Sequence, residues 1–73
     1  MDYVIVTETF YDDHIELILA CTTVEEALRV HGVALDLGYK VFPAPKVLAL
    51  YGSKIVRILI NDDKDRLILK LAL

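Results

Sequence analysis

Three side chains, His14, Cys21 and His31, are of the types that bind zinc or act as a nucleophile and its base. A zinc site needs three or four converging ligands, usually in short pairs such as C-x-x-C or H-x-x-x-H, and neither spacing occurs. Cys21 shares the strand face of Ile15, Leu17 and Leu19, and His31 lies on the apolar side of the next segment, a helix. We therefore expect both side chains to be buried and unreactive. The sequence therefore predicts no catalytic residue, no cofactor and no metal site, unless a dimer brings two copies of His14 together.

Two polar runs, residues 11–14 and 61–65, gather carboxylates that could serve in acid–base chemistry or bind calcium. The second run has the 1, 3, 5 ligand spacing of a calcium loop, but Arg66 and Ala72 stand where that loop needs glycine and a bidentate glutamate. Adjacent carboxylates in turns are solvated and keep ordinary pKa values. The three glycines are isolated, so a phosphate-binding loop is absent as well. We expect that the protein is not an enzyme.

The first third of the chain has the pattern of a β-hairpin. Tyr3 to Phe10 is rich in β-branched and aromatic residues, and residues 11–14 supply a polar turn. From Ile15 to Cys21, a period of two places Ile15, Leu17, Leu19 and Cys21 on one face. We expect two antiparallel strands here.

A helix is expected after this hairpin. Thr23-Val24-Glu25-Glu26 fits a capping box, in which the Thr23 hydroxyl accepts from the third helical N–H and Glu26 reaches back to the Thr23 amide. Apolar positions continue to about Leu37, where Gly38 can adopt the left-handed conformation that ends a helix. The apolar arc is wide, so we expect this helix to be covered on more than one side.

The second half of the sequence predicts strands. A short extended segment, Tyr39 to Phe42, precedes two prolines, and Lys46 to Tyr51 and Lys54 to Ile60 flank a Gly-first turn. Strict alternation of leucine from Arg66 to Leu73 predicts a final strand. Register places one set of leucines, with Ile55, Arg57 and Leu59, on the face against which we expect the helix to pack.

The expected fold is therefore α+β: residues 1–73 form a single small domain, an antiparallel sheet with one helix packed on one face, in the order ββαββββ. Valine, isoleucine and leucine make up 27 of 73 residues, and one helix covers only one face of such a sheet. The sequence thus predicts a homodimer, through an edge strand paired across a two-fold axis or through a β-branched face. That face is formed by Val47, Ala49, Val56, Ile58, Ile60 and Ile68.

Composition also constrains function. A net charge of −3 argues against general binding to nucleic acid or anionic membranes, and a lone cysteine fits a reducing cytoplasm. The N-terminus lacks a signal-peptide pattern and no apolar stretch is long enough to span a membrane, so we expect a soluble cytoplasmic protein.

The functional hypothesis is a small non-enzymatic regulator or inhibitor that binds another protein, of the kind encoded by viruses and mobile elements. Phe42 is the expected anchor, because an aromatic residue followed by two prolines loses little entropy on binding. Its alternative role is to close the helix against the sheet. The expected partner-binding residues are Phe42, Pro43, Pro45, Asp12, Asp13, Glu25 and Arg29.

A second hypothesis is a single-stranded nucleic-acid-binding protein. Bases could stack on Tyr39, Phe42 or Tyr51. Nearby positive charge would come from Lys40, Lys46 and Lys54. The net acidity of the chain disfavours this hypothesis.

Overall fold

The computed structural model describes residues 2–73, which form a four-stranded antiparallel sheet and three helices. The α+β class is therefore confirmed, but the order of elements is ββαβαβα. The elements are β1 (Tyr3–Phe10), β2 (Ile15–Cys21), α1 (Val24–Asp36), β3 (Lys40–Phe42), α2 (Pro45–Tyr51), β4 (Ile55–Ile60) and α3 (Asp63–Ala72).

The β1–β2 hairpin forms as its sequence predicts, with one irregularity. Ile5 pairs with Leu19 and Thr7 with Ile18, so Val6 is an extra residue, a β-bulge, in β1. The bulge shifts the alternation of β1 by one residue, because the side chains after it change face. Glu8, opposite Leu17, therefore lies on the same face as the buried leucines of β2.

The strands are ordered β1-β2-β4-β3, so β4 lies between the hairpin and the short strand β3. In β4, buried Val56, Ile58 and Ile60 alternate with three less buried residues, and Ile58 lies opposite both Leu17 and Val41. One face of the sheet therefore carries the aliphatic side chains of the core.

Helix α1 crosses this face, with Ala27, Val30 and Ala34 fully buried. The Thr23 side chain accepts from the Glu26 amide at 3.0 Å, as the capping box predicts, but the Glu26 carboxylate accepts from Arg29 rather than reaching back. Gly38 has φ 88° and donates its N–H to Leu35 O, which ends the helix as expected. α1 contacts the sheet, α2 and α3, so it is covered on more than one side.

Two segments expected to be strands are helices. In α2, Pro45 occupies the first turn and Gly52, with φ 63°, follows the end, which is the usual asymmetry of helix termini. In α3, the Asp62 side chain accepts from the Asp65 amide at 2.9 Å and caps the helix. The expected three-stranded meander is therefore wrong, and Gly52-Ser53 is not a hairpin turn.

All three helices pack on the same face of the sheet. Leu48 of α2 and Leu69 of α3 are fully buried in one cluster with the core residues of α1, β2 and β4. This is the face that carries Val56, Ile58 and Ile60, so the expectation that the helix packs on the face of Ile55, Arg57 and Leu59 is also wrong. The radius of gyration, 11.3 Å, is close to the roughly 11 Å expected of a folded chain of this length.

Candidate functional site

The face of the sheet opposite the helices is not covered by any element of residues 2–73. Its side chains are those that alternate with the core residues, so strand register defines it. We call this surface the open face. Its apolar members are Val4, Ile18, Ala20, Phe42, Ile55 and Leu59, and its polar members are Thr7, Thr9, Glu16, Lys40 and Arg57.

Phe42 lies near the β3 edge of the open face, beside Arg57 of the central strand β4. The Arg57 guanidinium carbon is 5.5 Å from the centre of the Phe42 ring, and Arg57 Nε donates to a Glu16 carboxylate oxygen at 2.6 Å. The Arg57 charge is therefore compensated by Glu16 and shared with the aromatic ring. Lys40, two residues before Phe42, contributes a further positive charge to the same face.

The position of Phe42 decides between its two expected roles. Phe42 is 45% exposed and does not belong to the core cluster, whereas its neighbour Val41 packs against the core. Phe42 therefore does not close the helix against the sheet. The prolines after it lead the chain from β3 into α2, and Pro43 O accepts a hydrogen bond from His31 Nε2 at 3.0 Å.

The other expected partner-binding residues are exposed but lie apart. Asp12 and Asp13 are in the β1–β2 turn, whereas Glu25 and Arg29 are on α1, which begins at the opposite end of the sheet. Arg29 is engaged by Glu26. These four residues do not form one surface with Phe42.

The expected dimer face does not exist as a surface. Val56, Ile58 and Ile60 are at most 1% exposed, because the helices of the same chain cover them. Val47 and Ile68 are 42% and 38% exposed, but they lie on α2 and α3 rather than on a shared sheet face, and Ala49 is also on α2. The homodimer stays a prediction, and this choice of interface is wrong.

A shallow pocket of about 390 Å³ lies at the end of the sheet that carries the β1–β2 turn. His14 Nδ1 is 2.7 Å from an Asp13 carboxylate oxygen, and its ring stacks on Tyr11 with 4.6 Å between ring centres. The His14 hydrogen bond lowers the pKa of the Asp13 carboxyl below its ordinary value. Lys40 and Asn61 also line the pocket. No serine, threonine or cysteine is among the residues that line it, and the contacts of His14 with Asp13 and Tyr11 are those of a packed turn.

The aromatic residues of the nucleic-acid hypothesis do not share a surface. Tyr39 is 8% exposed and its hydroxyl donates to Asp65 O at 3.4 Å, whereas Tyr51 is on α2 and Phe42 is on the open face. Burial is the main reason that the Tyr39 pKa is raised. A stacking platform needs exposed rings in a row, and Tyr39, Phe42 and Tyr51 do not form one.

The remaining chemically interesting side chains are buried. Cys21 lies in the core and burial raises the pKa of its thiol, which keeps it protonated and unreactive near neutral pH. His31 is buried, and its Nε2 is hydrogen-bonded to Pro43 O. Within residues 2–73, His, Cys, Asp and Glu side chains form no group of three that could hold a metal ion. The described helices are too short or too polar to cross a membrane.

The sequence did not lead us to expect that Ile18, Ile55, Arg57 and Leu59 lie together on one exposed face of the sheet. For three of them the signal was present in β4, where Ile55, Arg57 and Leu59 alternate with the buried residues, but the expected meander assigned the two faces in reverse. Only the pairing of β4 with β2 shows that Arg57 meets Ile18 and Leu59 meets Glu16. No family model matches the chain, and no curated protein or solved structure matches it.

Proposed function

We propose that this chain is a non-enzymatic binding protein that docks on a protein partner through the open face. One observation carries the proposal: all three helices pack on the other side of the sheet, so an apolar face that includes an aromatic residue is left without intramolecular cover. Antiparallel sheets with one solvated face usually carry polar residues on it. Here six of its eleven side chains are apolar, which is more than a solvated face usually carries and is typical of an interaction surface.

The part of the open face around Phe42 and Arg57 suits docking energetically. Phe42 supplies an aromatic anchor, and Arg57 is held against it by the Glu16 carboxylate, so both side chains are oriented before a partner arrives. Aromatic residues and arginine are the residue types that dominate interface energetics. Phe42 and Ile55 are each about half exposed, so burying the rest contributes roughly 1 kcal/mol each, since full burial of such a side chain contributes about 1.5–3 kcal/mol.

Charge on the open face indicates the chemistry of the partner. Arg57 and Glu16 neutralise each other, so Lys40 supplies the uncompensated charge of this face. A complementary partner therefore presents an apolar patch with a carboxylate at its margin, where it meets Lys40. The non-enzymatic part of the proposal rests on the burial of Cys21 and His31 and on the solvated setting of the acidic turns.

The test is a comparison of captured proteins among matched variants. Tagged wild-type protein, Phe42→Ala and Ile55→Thr are used as baits in a lysate of the native host, with Leu50→Ala as the control. Leu50 is 77% exposed on α2 and so removes similar apolar surface away from the open face. The expected result is one protein band that is retained by wild type and Leu50→Ala and lost by the two open-face variants.

Nuclease and salt separate this proposal from nucleic-acid binding. Docking through an apolar face should survive nuclease treatment and change little between low and high salt. Nucleic-acid affinity falls steeply with the logarithm of salt concentration. A band that disappears with nuclease, or that Phe42→Ala retains at wild-type level, would contradict the proposal.

A further inference from the structure

His31 is a polar residue at a buried position of α1. It is 3% exposed and follows Val30, which is fully buried. Burial of an imidazole ring costs free energy unless its polar atoms find hydrogen-bond partners. A leucine would fill a similar space without this cost, so the hydrogen bond that His31 makes distinguishes it from an ordinary core residue.

The partner of His31 is the carbonyl oxygen of Pro43, which lies 3.0 Å from Nε2. A carbonyl oxygen only accepts hydrogen bonds, so Nε2 carries the proton and donates. Helix α2 does not use this carbonyl, because its first backbone N–H groups, those of Val47 and Leu48, donate to Ala44 O. The hydrogen bond therefore joins α1 to the connection between β3 and α2.

This connection begins directly after Phe42, at the end of a short edge strand. β3 has three residues and one neighbour in the sheet, β4. Pro43 has no N–H group, so the backbone ladder cannot continue past Phe42. On the helix side of the sheet, Val41 packs against the core and His31 holds Pro43. These two contacts flank Phe42 and fix the end of the strand that carries it.

We propose that His31 is a positioning residue for docking: it holds Pro43 O from the helix side and thereby keeps the Phe42 ring beside Arg57 on the open face. The ring centre and the guanidinium carbon are 5.5 Å apart, and this distance depends on where the end of β3 lies.

The consequence for docking rests on the proposed function. A side chain that is already oriented loses less conformational entropy when a partner binds, so the His31 hydrogen bond raises affinity for the partner. The position of Phe42 itself can be measured in the free protein, without any partner.

Three substitutions separate positioning from a general loss of stability. His31→Leu removes the donor and keeps a large buried side chain, whereas His31→Gln keeps an N–H donor at about the same distance from the backbone. Val30→Ala weakens α1 at the neighbouring buried position.

NMR spectroscopy of the Arg57 side-chain protons provides the measurement. The Phe42 ring shifts their resonances, and Phe42→Leu gives the resonance positions without a ring. Relative to Phe42→Leu, the shift should be present in wild type, His31→Gln and Val30→Ala, and His31→Leu should lose most of it. A full shift in His31→Leu would overturn the proposal. An equal loss in Val30→Ala would overturn it too, because that loss would follow from lower stability alone.

The wild-type protein gives a second test that does not depend on the folding of a variant. At mildly alkaline pH, the nitrogen-15 spectrum of the His31 imidazole should show the proton on Nε2. A neutral ring with its proton on Nδ1 could not donate to Pro43 O and would exclude the proposed role.

Capture of the partner tests the link to docking. As a bait, His31→Leu should retain less of the partner band than Val30→Ala does, and equal capture by the two variants would contradict the link. If wild type captures no partner but His31→Leu still loses the Arg57 shift, the proposed function is wrong and the positioning of Phe42 by His31 is supported.

Discussion

At the scale of single residues, the bulge at Val6 has the most consequence for electrostatics. Without it, Glu8 would lie on the open face, because β1 would keep a strict period of two. With it, the Glu8 carboxylate lies under α3 and accepts hydrogen bonds from Lys70 and Arg66, which hold its pKa below the ordinary value. This ion-pair cluster joins the first strand to the last helix.

The Glu8 cluster predicts a pH dependence of stability. Because the folded-state pKa of Glu8 is lowered, its contribution is present above the unfolded-state pKa of about 4.5 and is lost as pH falls through the folded-state pKa. Glu8→Gln should therefore lower the free energy of unfolding by about 0.5–1 kcal/mol at pH 7, the size typical of exposed ion pairs. Urea titrations at pH 7 and pH 2.5 measure this, and the difference should shrink at the lower pH. Equal differences at both pH values would contradict the assignment.

We expect Phe42→Ala to change the free energy of unfolding only slightly, although it should abolish binding of the partner. The ring lies outside the core and contacts Arg57, so Phe42→Ala should cost about 1 kcal/mol or less, the value of an exposed cation–π pair. Leu17→Ala, at a fully buried position of β2, should cost about 2–5 kcal/mol and is the matched core control. Thermal and urea denaturation provide the measurement. If Phe42→Ala costs as much as Leu17→Ala, Phe42 is a core residue and the open face loses its anchor.

At the scale of elements, the sequence predicts the first half of the fold well and the second half badly. β1, β2 and α1 carry consistent local signals: a β-branched run, a period of two, and a capping box ended by Gly38. The expected strand from Arg66 to Leu73 fails because alternating leucines also suit a helix that is apolar on several sides. The decisive signal was Asp62, which caps the helix. We had interpreted it as part of a polar loop between two strands.

A pattern that suits either a strand or a helix also explains why α2 was expected to be a strand and why the open face was missed. Lys46 to Tyr51 is short and apolar, so its periodicity does not separate a strand from a helix, but Pro45 before it and Gly52 after it favour a helix. Because residues 46–51 and 66–73 were expected to be strands, β4 was expected to pair with them rather than with its true neighbours, β2 and β3. The expected register therefore could not show which residues share a face of the sheet. Phe42 and Lys40 were recognisable from sequence, whereas their proximity to Arg57 depended on this pairing.

The cap of α3 is directly testable. Asp62→Ala removes the acceptor for the Asp65 amide and should cost about 0.5–2 kcal/mol, whereas Asp62→Asn keeps an acceptor and should cost little. Chemical denaturation of the two variants gives the comparison. Were residues 66–73 a strand after a polar loop, neither substitution would matter, so equal stability of both variants with wild type would contradict the helix.

At the scale of the whole molecule, the accessible surface area is that of an ordinary compact monomer, but the surface carries many exposed hydrophobic side chains. The accessible surface is 4653 Å², close to the roughly 4,500 Å² expected of a compact monomer of this mass. The described residues are therefore packed as compactly as a monomer of this size, around a core to which all three helices contribute. What is unusual is that the open face, which none of the helices covers, carries aliphatic side chains and the exposed ring of Phe42.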